Sequence, residues 1–317
     1  MGPLLFIIFI NDLPEFCENS TEIYLFADDA KISKHIQSQS DKQVLQQSVD
    51  KLQQWSDIWK LKLNINKCKV VCYGRDRSIQ GNYHMAMDNK DIILEQVDHF
   101  KDLGVIFDDH LSFQHHCNEK IKKAYSILGI IKRNFTYLTP EALVQIYKSM
   151  VRSHLEYAQS VWYPYRQKLI DDLEKVQISA TKLVPSLRKL SYGDRLKRLK
   201  LPTLKYRRYR GDMIEVYKII SGKYDNNIVI NLDLVKDSRT RGNVFKLTNK
   251  SFHYDIRKFA FSVRIVNVWN SLPNKVVEAV TVDIFKRRLD KFWADQDIIY
   301  DYKANLTGLT SRSHINI

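Results

Sequence analysis

The sequence predicts an α+β protein, strands first and helices afterwards, and three observations carry that expectation. Short β-type apolar runs bounded by turn residues lie before Asp108. Apolar residues recur at three- and four-residue spacing after it, and the charge changes sign at the same place. Residues 1–108 hold 12 Lys+Arg against 16 Asp+Glu, a net of −4, whereas residues 109–317 hold 38 against 20, a net of +18. A slightly acidic first third joined to a strongly basic remainder suits a chain that handles nucleic acid; an inert basic surface is the plainer alternative. The 317 residues, 44% hydrophobic and 27% charged, are enough to bury a core and exclude wholesale disorder.

Pro3 to Ile10 reads as a buried helix running into a loop at Asn11-Asp12-Leu13-Pro14. Its apolar run, Leu4–Ile10, is far short of the ~20 residues of a membrane span and lacks a basic n-region, so an intracellular chain without membrane attachment is expected. Ile23–Ala27 is a β-type run, Asp28-Asp29 an acidic turn, and Ala30–Ile36 alternates with period two: a hairpin with two carboxylates at its tip. An N-cap at Asp41 or Ser40 opens a helix carrying Val44, Leu45, Val49, Leu52, Trp55 and Trp59, which ends before Asn64. Cys68–Tyr73 reads as a core strand, Gly74–Gly81 as a turn-rich loop, and Tyr83–Met87 with Ile92–Leu94 as two more strands. Val97–Phe107 is another, with Gly104 a bulge or a point of close backbone approach.

After Asp108 three amphipathic helices fit Phe113–Phe135, Pro140–Tyr157 and Arg166–Leu183, with Pro140 and Pro164 where helices start. Residues 186–211 carry ten basic side chains against Asp194 alone. Later helices fit Tyr254–Ser271 and Val282–Trp293. The expected division is 1–108, 109–185 and 186–302, with 303–317 an unstructured tail.

The sharpest chemical signal is Phe26-Ala27-Asp28-Asp29. Adjacent carboxylates on a tight turn repel one another, which is a poor choice for stability alone. Two divalent cations ~4 Å apart would neutralise them, and magnesium takes a few carboxylates together with phosphate oxygens. Asp108-Asp109 at a strand end and Asp171-Asp172 in a helical first turn have plainer explanations. In the basic segment, Arg195, Lys197, Arg198, Arg207, Arg208 and Arg210 alternate with Tyr192, Tyr206 and Tyr209, which offers phosphate neutralisation together with base stacking. A solvated helix face is the alternative there. Cys17, Cys68, Cys72 and Cys117 are too few for a disulfide framework. Neither Cys68-x3-Cys72 nor the group His110, His115, His116 and Cys117 has the spacing of a zinc site.

Taken in order, Gly2-Pro3-Leu4-Leu5-Phe6, Asn11-Asp12-Leu13-Pro14 and Phe26-Ala27-Asp28-Asp29 resemble the reverse transcriptase of non-LTR (LINE-type) retrotransposons. Trp55-Ser56 with Trp59, and Leu61 to Cys68, resemble the segment after that family's catalytic hairpin. Phe100-Lys101-Asp102-Leu103-Gly104-Val105 resembles its primer-contacting hairpin. Lys123-Ala124, Leu155-Glu156-Tyr157 and Trp162 with Pro164 resemble its thumb, and Trp269-Asn270-Ser271-Leu272-Pro273 its far end. The likeness is collinear over nearly the whole chain.

The resemblance implies a partial polymerase palm at 1–108, a helical thumb at 109–185 and a basic helical region at 186–302. It implies an RNA template and a DNA primer as partners, deoxynucleoside triphosphate and Mg2+ as small-molecule requirements, and two-metal nucleotidyl transfer as parent chemistry. Asp28 would coordinate metal with Asp29 in support. Lys67 would stand near the incoming triphosphate as a proton donor to pyrophosphate, and Phe100 to Val105, Gly104 included, would hold the primer. Plainer roles are a turn lysine for Lys67 and a strand bulge for Gly104. The family's other palm aspartate and its Gln-Gly segment have no counterpart before Gly2. The expectation is therefore a C-terminal portion that holds magnesium weakly and is inactive by itself, with a non-catalytic RNA- or DNA-binding protein or a pseudogene product as alternatives. The family's work at chromosomal DNA implies a nuclear location. The hairpin of residues 20–40 should leave an unpaired apolar edge that invites association.

Overall fold

The computed structural model describes residues 2–16, 21–74, 81–87, 90–225, 228–235 and 243–308. It combines many helices with small two-stranded sheets, an α+β chain. Two compact units divide it: Met1–Asp102 with Phe107–Leu111, and Leu103–Ile106 with Ser112–Ile317.

The first unit opens with helices α1 (Gly2–Ile10) and α2 (Leu13–Phe16), then the hairpin of β1 (Glu22–Phe26) and β2 (Asp29–Ser33), then the long helix α3 (Gln39–Trp59). The run Leu4–Ile10 is helical as expected but not buried: Leu4, Leu5, Ile7 and Ile8 are 58–72% exposed. An all-apolar helix has no distinguished face, so its partners decide what is covered. Here Phe9 meets Trp55 and Trp59 edge-on at 6.0 and 4.6 Å, and Phe9 and Ile10 pack beside Leu13 and Trp55. The cap of α3 is Ser38, not Asp41 or Ser40; Asp41 is the reciprocal partner, its carboxylate accepting the Ser38 N–H at 2.9 Å in a capping box.

Further strands are β3 (Lys69–Val70), β4 (His84–Met87), β5 (Lys90–Ile93), β6 (Glu95–Gln96), β7 (His99–Asp102) and β8 (Val105–Asp108). Among the described residues no sheet is wider than two strands: β1–β2 and β4–β5 are antiparallel, β3–β6 is parallel, and β7 pairs with β8. The strand expected over Cys68–Tyr73 is thus two residues long, and most of the expected Gly74–Gly81 loop lies outside the described residues. Two glutamines of α3 serve the edge of β4. Gln46 accepts from the His84 N–H at 3.0 Å and donates back to its carbonyl at 2.9 Å, and Gln53 does the same for Ala86. A helix thereby supplies hydrogen bonds that a neighbouring strand would otherwise give. On β1, Ile23 and Leu25 face the Trp55 cluster while Tyr24 and Phe26 lie exposed.

The stretch expected as one strand over Val97–Phe107 is the β7–β8 hairpin, and Gly104 is in its turn rather than in a bulge. Leu103 and Gly104 have φ of 43° and 82°, the pair of positive values that a two-residue I′ turn requires.

The second unit is helical: α4 (Gln114–Asn134), α5 (Pro140–Ile146), a π-helical segment (Tyr147–Arg152), α6 (Ser153–Glu156), α7 (Gln167–Thr181), α8 (Tyr192–Leu199) and α9 (Leu204–Ile220). It ends with α10 (Asp255–Lys258), α11 (Phe261–Asn270), α12 (Asn274–Val277) and α13 (Val282–Phe292). Pro140 opens α5 behind the Thr139 cap, but Pro164 lies in the preceding connection and α7 starts from Arg166. The core runs from Leu143, Val151 and Trp162 through α7 to Trp269 and Phe285. From Ser112 on, the expected 109–185 and 186–302 parts lie together in this one unit. Of the tail expected without structure, 303–308 is described, and there Leu306 is buried and Lys205 Nζ donates to Ala304 O and Asn305 Oδ1, both at 2.9 Å.

Candidate functional site

The Asp28–Asp29 pair is produced by the tightest link two strands can have. Phe26 pairs with Asp29, leaving Ala27 and Asp28 as a two-residue turn. Of these only Ala27 has a positive φ, 52°, the pattern of a type II′ turn, where glycine is the unstrained choice. Both carboxylates are exposed. Two carboxylates suit a cation that keeps much of its water and takes phosphate oxygens as well. Among the described residues no group of three or more acidic, histidine or cysteine side chains comes together.

An ion pair that sequence reasoning missed ties this hairpin to the next. Lys31, two residues past Asp29 on β2, lies 2.6 Å from Asp102 at the end of β7. Phe100 stands on β7, partly exposed. Lys67 closes a 3-10 turn (Ile65–Lys67), its N–H donating to Asn64 O at 2.9 Å, with an exposed side chain ahead of β3. Since β3 pairs with β6, no shared sheet brings Lys67 to Asp28.

The basic segment divides by burial. Arg195 is buried, donating to Thr181 Oγ1 and Leu190 O at 3.0 and 2.8 Å, and desolvation lowers its pKa. Arg207 forms a bidentate pair with Glu156, and Arg210 another with Asp290, whose hydrogen bond raises the Arg210 pKa. Arg208, 2% exposed, stands over the Tyr163 ring at 5.8 Å, and among the described residues its Nε and Nη2 have no hydrogen-bond partner. The alternation of Arg and Tyr that suggested base stacking thus serves the helical core at these four positions. Lys197 and Arg198, on the outer side of α8, remain exposed.

A different set of cations is gathered elsewhere in the same unit. An open cleft of about 400 Å³ between α4 and α7 is lined by Tyr125, Lys132, Ser179, Lys182, Leu183 and Arg188. Among the described residues no acidic side chain lines it. No sequence signal singles out Lys132 with Arg188. They lie 56 residues apart and meet only through the packing of α4 on α7.

Residues 1–131 match the family model described as reverse transcriptase (RNA-dependent DNA polymerase). The chain is 29% identical over 177 residues, 51% of its length, to the RNA-directed DNA polymerase from mobile element jockey of Drosophila melanogaster. To the protein of the same name from Drosophila funebris it is 28% identical over 205 residues, 60% of its length. It spans about a fifth of these curated relatives, 18% and 21% respectively. No solved structure matches it. The family model and both relatives are by name RNA-dependent or RNA-directed DNA polymerases, and within the segment that the family model matches lies the Asp28–Asp29 hairpin. Among the described residues no helix is long and apolar enough to cross a membrane.

Proposed function

We propose that this chain carries part of the palm, and the thumb-like helices that follow it in sequence, of a non-LTR retrotransposon reverse transcriptase. The single observation that carries the reading is the exposed Asp28–Asp29 pair on a strained two-residue turn, inside the segment that matches the polymerase family. Asp28 and Asp29 would hold Mg2+, which when bound supplies charge neutralisation at the reacting phosphate. The turn fixes the two carboxylates relative to the strands, and Lys31–Asp102 holds that hairpin against β7, where Phe100 would meet the primer. Lys67 would donate a proton to pyrophosphate. Two carboxylates align one cation poorly for in-line transfer, where a misplacement of ~1 Å can cost about 10²-fold. This chain by itself is therefore expected not to extend a primer.

The test is a Mn2+ titration followed by electron paramagnetic resonance, run beside primer extension on an RNA template. Weak Mn2+ binding that disappears in Asp28→Asn/Asp29→Asn, without extension, is the expected result. Binding unchanged in the double variant removes the assignment. Extension abolished by the double variant would keep the polymerase and overturn the inactivity.

A second reading, nucleic-acid binding by the helical unit without catalysis, is favoured by the acid-free cationic cleft of Lys132, Lys182 and Arg188 beside Tyr125. The two readings share RNA binding and differ in whether Asp28 and Asp29 matter to it.

A further inference from the structure

Glu156 and Arg207 were drawn from two unrelated sequence signals, a thumb motif and a basic run, and the structure joins them. Glu156 is the last residue of α6, and its two carboxylate oxygens take the Nε and Nη2 of Arg207, the latter at 2.8 Å, with Arg152 Nε 3.5 Å away. The pair is largely shielded, side chains 20% and 25% exposed, so it is screened less than a surface pair. From this fixed point the chain leaves the helix at Tyr157, and Ala158 takes a left-handed φ of 51°, which alanine adopts only when its surroundings enforce it. Trp162 enforces it. Its Nε1 donates to Tyr157 O at 2.6 Å, and Val161 N–H closes the corner onto Ala158 O at 2.9 Å.

From this corner, contacts reach the four residues Leu103–Ile106. Tyr157 OH donates to Leu103 O at 2.9 Å. Its ring lies so close that a Cβ on Gly104 would come within 3.1 Å of Cε1, so Gly104 is required by the ring as well as by its φ. Ile106 N–H donates to His116 Nδ1 at 3.1 Å, and the His116 ring stands 5.0 Å from that of Trp162. Trp162, fully buried, thus supports the turn from both ends. The packing agrees, for Leu103–Ile106 is grouped with the helices and not with the strands that flank it in sequence.

We infer that Glu156 and Arg207 are positioning residues for the turn Leu103–Ile106, acting through Tyr157, Trp162 and His116 on a loop that contacts the primer end. The inference rests on the polymerase reading for what the turn touches, but not for the clamp. Arg207, a candidate phosphate ligand by sequence, acts at one remove: its charge is consumed by Glu156, and its effect on nucleic acid is orientation.

The experiment uses the full chain with an RNA–DNA template–primer duplex whose 3′-terminal nucleotide is 4-thiothymidine. Amide hydrogen exchange at 103–106 and photocrosslinking to those residues are read in Arg207→Met and Tyr157→Phe. Arg210→Met, which removes the same charge and an equivalent pair with Asp290, is the exchange control. Loss of one net hydrogen bond should speed exchange at 103–106 about fivefold in the first two and not in the control. Crosslinking should fall by at least that factor, with duplex affinity, set mainly by phosphates, held within about twofold. Unchanged exchange in Arg207→Met and Tyr157→Phe overturns the clamp. Faster exchange with unchanged crosslinking overturns the positioning role. If the wild-type chain crosslinks nowhere at 103–106 while exchange still responds, the polymerase reading of the turn fails, and the positioning role with it, though the clamp remains.

Discussion

Replacing Arg264 with methionine removes the partner of a carboxylate that has no route to water. Asp212 is 2% exposed and takes Arg264 through both oxygens, Nε at 3.0 Å and Nη2 at 3.1 Å. The same guanidinium donates to Ser160 O at 2.7 Å and Phe259 O at 3.2 Å, and lies 4.5 Å above the Tyr163 ring. Breaking a buried pair from one side costs about 3–5 kcal/mol, because the remaining charge stays desolvated. In a helical unit of roughly 200 residues that is a fall in melting temperature of roughly 6–20 °C, read by circular dichroism at 222 nm. The pH dependence gives the sign. Burial already raises the Asp212 pKa, with Arg264 opposing it; without Arg264 the rise is larger. The folded state then binds a proton that the unfolded chain releases, so the variant should gain stability as pH falls from 7 towards 5, against the usual acid trend. Asp212→Asn in the same background should restore part of the loss. A loss below about 1 kcal/mol, or a variant that weakens steadily on acidification, would refute the argument.

Other outcomes are equally definite. Neutralising Lys132, Lys182 and Arg188 together should lower the slope of log affinity for RNA against log salt by ~2–3 with melting unchanged; an unaltered slope would take the cleft out of the interface. Ser38→Ala should destabilise the first unit by ~1 kcal/mol through loss of the α3 cap, measured by urea denaturation. Leu5→Glu with Ile8→Glu should leave stability within about 0.5 kcal/mol and reduce association in analytical ultracentrifugation, since both side chains already face solvent.

The helices were largely legible in the sequence because periodicity reports an apolar stripe, and α3, α4, α7 and α13 lie within a few residues of where the spacing put them. The Asp28–Asp29 hairpin was legible for a similar reason, a two-residue link between β-type runs. What could not be read depended on partners. Leu4–Ile10 announces a helix but not whether another surface will cover it. Gly104 announces a special φ, yet a bulge and a I′ turn both ask for one, and only the return of Val105–Asp108 alongside β7 decides between them. Arginine is the clearest case. The types and spacing of Arg195, Arg207, Arg208 and Arg210 look the same in a phosphate-binding face and in a core of ion pairs. What separates the two for Arg207 and Arg210 is Glu156 and Asp290, carboxylates 51 and 80 positions away in the chain.

The π-helical segment Tyr147–Arg152 gives this arrangement an angular phase. An α-helix advances about 100° per residue, and a π turn holds one residue more than its neighbours. Everything after Arg152 is thus rotated by one residue's worth from where an unbroken α5–α6 helix would carry it. Regularising 147–152 to an α-helix at unchanged length would relieve its wider turn, a local gain. It would also swing Glu156 and Tyr157 about a quarter-turn away from Arg207 and Leu103. The irregular turn is a dial setting, and the most orderly helix this stretch could form is the one that points its last two residues the wrong way.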